Sequence, residues 1–194
     1  MQLAGKKIYL RKMEPEDLEF LYTVENNPDF WYVSETKAPY SRWELKQYIE
    51  NYCYDIFTTK ELRLMICDYV SQKPIGIVDL FEYHPLHNRC GVGIIVLPEY
   101  REMGIATETL GIVKDYAFKT LLLKQLWCLI DENNDSSKTL FQKCGFVQSG
   151  ILKQWKQTEN GYADVSVWQC IKYKFNLESY KIGITKESRH GRIL

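Results

Sequence analysis

A glycine and an alanine stand where a strand gives way to a helix in the stretch VLPEYREMGIATETLG, residues 96–111. The apolar run stops at Pro98, a short charged loop follows, and Gly104 and Ala106 lead into a helical pattern. The first N–H groups of a helix have no internal partner and together carry about half a positive charge. Small residues at this point let an anion approach the backbone N–H groups, and phosphate is the anion that most often binds there.

The loop matches neither of two familiar glycine-rich phosphate motifs. Its spacing is not G-x-x-x-x-G-K-[ST], which excludes a P-loop, and it is not G-x-G-x-x-G, which excludes the dinucleotide fingerprint. Because glycine is common where a strand turns into a helix, an ordinary turn explains the loop equally well. The loop alone leaves both interpretations open.

Composition limits the class of protein. The 194 residues carry 25 Lys and Arg against 25 Asp and Glu, so no large basic surface for nucleic acid is expected. Six cysteines form no C-x-x-C pair and have no histidine at metal-finger spacing, which predicts buried thiols in a reducing cytoplasm and no metal site. No span approaches the ~18 apolar residues of a membrane helix, so no membrane association is expected.

Hydrophobic periodicity gives the elements that must position the loop. A capping box of Ser41 and Glu44 starts one helix, Gly145 ends another, and Asn160-Gly161 indicates a hairpin turn. The predicted strands lie at 6–12, 61–70, 74–83, 89–98, 125–131, 146–157 and 162–174, and the predicted helices at 15–25, 41–52, 104–119 and 134–144.

This order is β-α-α-β-β-β-α-β-α-β-β, in which antiparallel hairpins pass into a β-α-β-α unit. It predicts an α+β fold with a mixed, mostly antiparallel central sheet flanked by helices. We expect a single domain over residues 1–175 and a C-terminal tail over 176–194. The aromatic-rich segment 28–41 is predicted to be a loop, and QLWCLID (125–131) a fully buried strand.

Three stretches carry a resemblance to a known family: YLRKMEPEDL, DLFEYHPLHNRCGVGIIVLPEYREMGIAT and DENNDSSKTLFQKCGF. The sequence resembles the GNAT N-acetyltransferase superfamily, whose phosphate loop reads [Q/R]-x-x-G-x-[G/A]. Arg101, Gly104 and Ala106 occupy those positions, and the element order matches from Ile8 to about Lys174. Within the superfamily it is most similar to bacterial spermidine N-acetyltransferases and to ribosomal-protein N-acetyltransferases.

The resemblance implies the acyl-CoA N-acyltransferase fold and acetyl-CoA as donor. It places the pyrophosphate on the backbone N–H groups of Arg101, Glu102, Met103, Gly104, Ile105, Ala106 and Thr107. It also implies that Ile94, Ile95 and Val96 bind pantetheine along a strand edge, where a peptide-like chain can add. Asn134 matches an asparagine that touches the cofactor arm, although a helix N-cap accounts for it equally well.

On the acceptor side, no Cys/His/Asp arrangement suggests a covalent intermediate, so direct attack by the amine is expected. Asp79 and Glu82 are candidate bases, but their spacing puts them on opposite faces of the strand. The resemblance aligns Glu82 with an acid of the acceptor site, which makes it the predicted catalytic residue. It likewise matches Glu35, Glu44 and His87 to substrate-binding positions.

Purely structural roles are alternatives to these assignments. Glu44 can simply serve the capping box, and His87 can be an exposed turn residue. The aromatic residues of the 28–41 segment suit a pocket wall, a subunit contact or a core lid. These aromatic residues are Phe30, Trp31, Tyr32 and Tyr40.

Two positions depart from the spermidine enzymes. Phe141 stands where they carry a tyrosine thought to protonate the leaving thiolate, and Gly91 stands where they carry an acid. A phenyl ring cannot donate a proton, so the general acid has no assigned residue. A thiol pKa of ~8.5 nevertheless makes a free thiolate a tolerable leaving group.

The sequence thus predicts an acetyl-CoA-dependent N-acetyltransferase acting on a primary amine, with a polyamine-like small amine favoured. One alternative is a protein N-terminal acetyltransferase of the ribosomal-protein type. The other, motivated by Phe141, is a catalytically weak acyl-CoA-binding sensor. We further expect a cytoplasmic homo-oligomer.

Overall fold

The computed structural model describes residues 3–34, 38–158 and 161–172, with the side chains of 32–34 excluded. Its strands form one seven-stranded sheet in the order β1-β2-β3-β4-β5-β7-β6. Every neighbouring pair is antiparallel except β4 and β5, which are parallel. The strands are β1 Ile8–Arg11, β2 Leu62–Asp68, β3 Pro74–His84, β4 Arg89–Val96, β5 Gln125–Asp131, β6 Val147–Thr158 and β7 Gly161–Ile171.

Helices cover both faces of the sheet. The α-helices are α1 Leu18–Glu25, α2 Pro28–Ser34, α3 Arg42–Asn51, α4 Ile56–Thr59, α5 Ile105–Asp115 and α6 Asp135–Lys143. Short 3-10 turns lie at Pro15–Asp17 and Pro98–Tyr100, and a π-helical turn extends α5 over Tyr116–Thr120.

Strand β2 shows how the sequence fills two cores at once. Leu64 and Ile66 point into the cluster that contains the buried side of α5, whereas Met65 and Cys67 point into the cluster beneath α1 and α3. Alternate residues of a strand face opposite sides, so a strand buried on both faces becomes a continuous apolar run. The fully apolar LMIC segment is therefore explained by helices on both sides.

Most of the predicted elements are confirmed, including the capping box of Ser41 and Glu44 and the left-handed Gly145 after α6. The prediction of a loop over 28–34 was wrong, because Pro28 begins the helix α2. Proline suits the first helical turn, where its missing N–H costs no hydrogen bond. The short helix α4 follows an Asp55 cap and was not predicted.

Strand β5 also differs from its predicted full burial. Leu126, Cys128 and Ile130 are buried, but Leu129 on the other face is 41% exposed. One face of this strand therefore lacks a complete cover, although its sequence is apolar throughout. The predicted tail 176–194 lies outside the described residues.

The cysteines behave as structural residues. No disulfide joins them in the described part of the chain, and all but Cys53 are buried. Burial raises the pKa of the Cys90 thiol to about 12, which keeps it protonated and unreactive at neutral pH. No helix among the described residues is long and apolar enough to cross a membrane.

Candidate active site

The parallel strands β4 and β5 separate soon after they meet. Their ladder contains the pairs Arg89–Gln125, Cys90–Leu126 and Gly91–Trp127, and no pair beyond Gly91. Further along, β4 remains paired with β3 as far as Val96, and β5 with β7 as far as Asp131. The edge of β4 that carries the predicted Ile94, Ile95 and Val96 therefore faces an opening between the strands, where an extended chain can bind to backbone groups.

The loop after β4 leads to a bare helix N-terminus. Gly104 is the N-cap of α5 and has φ +80°, a left-handed conformation that glycine adopts without a steric penalty. The first helical bond runs from the N–H of Glu108 to the Gly104 carbonyl. Across the described chain, the N–H groups of residues 102–107 have no hydrogen-bond acceptor. Six consecutive free donors beside a helix dipole fit an anion.

Arg101 differs in detail from the sequence-based expectation. Its backbone N–H donates to the Pro98 carbonyl at 3.1 Å, so the run of free donors begins one residue later. Its Nε donates to the Val96 carbonyl at 3.2 Å, and its guanidinium lies 5.9 Å from the ring centroid of Phe30. The side chain thus ties the loop to the end of β4 and to α2.

Asn134 lies at the start of α6, just after β5. Its Oδ1 accepts from the N–H of Ser137 at 3.1 Å and from the Ser136 hydroxyl at 2.9 Å. The helix-capping interpretation is confirmed. Phe30 and Trp31 of α2 have structural roles. Phe30 is buried, and the Trp31 indole N–H donates to the Glu25 carbonyl at 2.7 Å.

A cavity of about 270 Å³ opens beside the same stretch of β4. Gly93, Ile94 and Ile95 form one wall, so the cavity borders the same residues of β4 as the opening described above. Three carboxylates and one guanidinium line it, which gives its wall a net charge of −2. These charged residues are Glu25, Glu61, Arg63 and Asp79, and Tyr48, Tyr52 and Phe81 add aromatic surface.

Arg63 organises the charges of this cavity. Its Nε and Nη2 each donate to one oxygen of Asp79 at 2.8 Å, and its Nη1 donates to Glu25 at 2.6 Å. Burial disfavours the charged guanidinium, but the Asp79 carboxylate outweighs that cost and the pKa of Arg63 is raised well above its ordinary value. The guanidinium is therefore permanently charged and holds α1 against β2 and β3.

Two tyrosines complete the wall from α3 and the residue after it. The hydroxyl of Tyr52 accepts from the Arg63 backbone N–H at 2.6 Å. Burial raises the pKa of Tyr52 to about 12, and it also raises the pKa of Tyr48. Both phenols are therefore protonated at neutral pH and able to donate hydrogen bonds.

The predicted acceptor residues are spread over the surface. Glu82 is exposed, has φ +48° and lies where the β3–β4 register shifts; it does not line the cavity. His87 is exposed in the β3–β4 turn, with its ring stacked on His84 at 4.4 Å. Glu44 is exposed, and the N–H and hydroxyl of Ser41 each donate to its carboxylate at 2.7 Å, which lowers its pKa. Glu35 lies outside the described residues.

The structure shows the surroundings of Gly91 and Phe141, two positions that differ from the spermidine enzymes. A Cβ on Gly91 would lie 2.3 Å from the Phe81 ring, so any side chain at position 91 would require Phe81 to move. Phe81 in turn contacts Trp127 edge-on, with 5.3 Å between centroids. Phe141 is buried against Phe146, and it brings no proton donor to the site.

Separated parallel strands that end beside an uncapped helix N-terminus suit a nucleotide-bearing acyl thioester, so fold and site together indicate an acyl-CoA-dependent acyltransferase. No group of three or more His, Cys, Asp or Glu residues in the described ranges could hold a metal ion. A family model described as "Acetyltransferase (GNAT) domain" matches residues 7–147. The chain therefore belongs to the GNAT acetyltransferase family, and it is an acetyl-CoA-dependent N-acetyltransferase.

Individual relatives of this chain are also N-acetyltransferases. The spermidine N(1)-acetyltransferase of Escherichia coli K12 is 30% identical over 154 residues, which cover 77% of each chain. That of Vibrio cholerae is 27% identical over 175 residues, covering 88% of this chain and 96% of its own. The V. cholerae enzyme solved with CoA and spermine has a TM-score of 0.75 at 28% identity, covering 86% of this chain and 96% of that one. The acyl-CoA N-acyltransferase fold predicted from the sequence is confirmed.

Sequence reasoning missed most of the cavity. Arg63, Glu25 and Glu61 received no assignment, because each stands alone within its own element. The spacing of Tyr48 and Tyr52 along their helical segment predicts only that both occupy apolar positions of a helix. One signal was available: a single arginine in the otherwise apolar strand LRLMIC must find an acidic partner if it is buried.

Proposed function

We propose that the chain acetylates a polyamine-like primary amine that binds in the acidic cavity. The single observation that carries this is that charged residues with a net charge of −2 line the same cavity as residues 93–95 of β4. A polyamine combines ammonium groups with methylene segments, which match carboxylates and aromatic rings respectively. The relatives named above are called spermidine acetyltransferases, and neither the peptide-acceptor nor the sensor alternative is favoured by them.

For the donor, we propose that the diphosphate of coenzyme A binds to the free N–H groups of residues 102–107. In this proposal Ile94, Ile95 and Val96 hold pantetheine by their backbone, and Asn134 lies at the mouth of the opening. The open space beside Gly104 and the run of backbone N–H groups without acceptors support the assignment. Acetyl-CoA supplies an acetyl group activated as a thioester.

The protein's part in the chemistry is to bind the amine, remove its proton and orient it for direct attack. Glu82 is the base that the family resemblance suggests; being exposed outside the cavity, it would act through water. Glu61 is the geometric rival, since it lies on the cavity rim and has no ion-pair partner within the described residues. With Phe141 unable to donate a proton, the thiolate leaves unprotonated or takes its proton from water.

Glu61→Gln tests both the acceptor and the role of this carboxylate. We expect the KM for spermidine to rise about fivefold with kcat within twofold, because one cation-binding charge is lost at an exposed rim. Steady-state acetylation of spermidine, of butylamine and of a short peptide with a free N-terminus measures this. A fall in kcat instead would make Glu61 the base.

The matched control is Glu50→Gln, which removes an exposed carboxylate that does not line the cavity. It should leave both constants unchanged. Transfer to the peptide but not to spermidine would overturn the acceptor proposal. Tight binding of acetyl-CoA with no transfer to any amine would instead indicate a sensor.

We also propose that copies of the chain assemble with one another in the cytoplasm. A V. cholerae relative has been solved as a dodecamer, with a TM-score of 0.72. Here the edge strand β6 exposes Val147, Ile151 and Trp155, and the buried free thiols suit a reducing compartment. Sedimentation velocity of the full chain should give a mass above 23.0 kDa, and a monomer at micromolar concentration would contradict assembly.

A further inference from the structure

A lysine from the start of the chain reaches the proposed phosphate loop. The Nζ of Lys7 donates to the Met103 carbonyl at 2.7 Å. A Cβ on Gly104 would lie 3.8 Å from this same nitrogen. Apart from the chain neighbours of Gly104, no other heavy atom of the described residues would lie within 4 Å of that Cβ. The ammonium therefore borders the open space that the missing side chain leaves.

The backbone around Lys7 is fixed to the helix that carries the loop. Its N–H donates to Glu108 Oε1 at 2.9 Å, and the N–H of Lys6 donates to the same oxygen. Glu108 belongs to the first turns of α5, so the segment before β1 is held against the helix N-terminus. This anchoring limits where the ammonium can lie and lowers the entropy lost when it meets an anion.

The ammonium of Lys7 forms no salt bridge within the described residues, because the Glu108 carboxylate binds the backbone of Lys6 and Lys7. An ammonium has three N–H donors, and Met103 takes one of them. None of the ion pairs found in the described ranges includes Lys7. An unpaired cation beside bare backbone amides strengthens the field that the helix dipole already produces there.

We propose that Lys7 is a phosphate-binding residue of the coenzyme A site, contributing a positive charge to the cradle formed by residues 102–107. This inference rests on the proposed placement of the diphosphate. No sequence pattern indicates this role, because Lys7 precedes the loop by almost a hundred residues and belongs to an ordinary basic segment.

The test compares coenzyme A with pantetheine, which has the same arm but no phosphate. Calorimetry on the full chain at low salt should show Lys7→Met binding coenzyme A about five- to tenfold more weakly than the parent, with pantetheine affinity unchanged. Lys7→Arg should recover most of the affinity. The difference should shrink in ~0.5 M salt, because a contact between exposed charges is screened.

Lys6→Met is the matched control, since it removes the adjacent basic side chain and should leave coenzyme A binding unchanged. Equal losses for coenzyme A and pantetheine, or a loss that salt does not reduce, would assign Lys7 a merely structural role and overturn the inference. No loss at all would overturn it too. If the parent itself binds pantetheine as well as coenzyme A, the diphosphate placement fails, which is a distinct result.

Discussion

Gly104→Glu should weaken coenzyme A binding by about a hundredfold. The new side chain would project into the open approach beside the free N–H groups, and its carboxylate would repel phosphate at the point where the helix dipole attracts it. The positive φ of +80° adds a backbone strain of about 1 kcal/mol for any non-glycine residue. Isothermal calorimetry with coenzyme A measures the affinity, and thermal unfolding measures the strain.

A matched control separates strain from the loss of the site. Gly145→Glu introduces the same side chain at φ +84°, but after the C-terminus of α6 and away from the loop. We expect this variant to lose comparable stability while binding coenzyme A normally. Unchanged coenzyme A affinity in Gly104→Glu would remove the loop from the donor site.

Arg63→Met should give the largest loss of stability among the substitutions considered. It leaves Asp79 and Glu25 without their shared cation, and both carboxylates are largely shielded from water. Removing one partner of such a network costs about 3 kcal/mol. Urea unfolding at pH 7 measures this loss, and the KM for the amine should rise as well because the cavity wall loses its shape.

A second variant separates the charge of Arg63 from its packing. Arg63→Lys keeps a positive charge beside Asp79 and Glu25, so it should lose less stability than Arg63→Met in the same urea unfolding measurement. Arg42→Met is the control, because its pair with Glu19 is exposed to solvent and should contribute little to stability. Equal losses in Arg63→Met and Arg63→Lys would show that the charge of Arg63 does not support the cavity.

Local signals predicted most of the fold. The capping box at Ser41, the glycine at 145 and the hairpin that pairs β6 with β7 are each specified by a few neighbouring residues, because caps and turns depend on local backbone geometry and hydrogen bonds. The helix α2 was not predicted, because its seven residues, rich in aromatic side chains, show no clear helical periodicity of hydrophobic positions. The apolar run of β5 concealed an exposed face for a related reason: composition does not show which side of a sheet is covered.

The proposed donor half of the site could be inferred from the sequence, whereas the proposed acceptor cavity could not. The loop and its helix are contiguous in sequence, so Gly104 and its neighbours could be interpreted together. The cavity joins Glu25 on α1 to Arg63 on β2 and Asp79 on β3, and Lys7 reaches Met103 across 96 positions. None of these pairs leaves a spacing pattern.

By itself, the sequence determined the order of elements, the bare helix N-terminus and membership of an acetyltransferase family. Only the tertiary structure decided which charges share a cavity, where the parallel strands separate and which lysine borders the loop. The physical reason is that periodicity and turn chemistry act between residues close in the chain. Side chains far apart in sequence meet only once the sheet and its two layers of helices have packed.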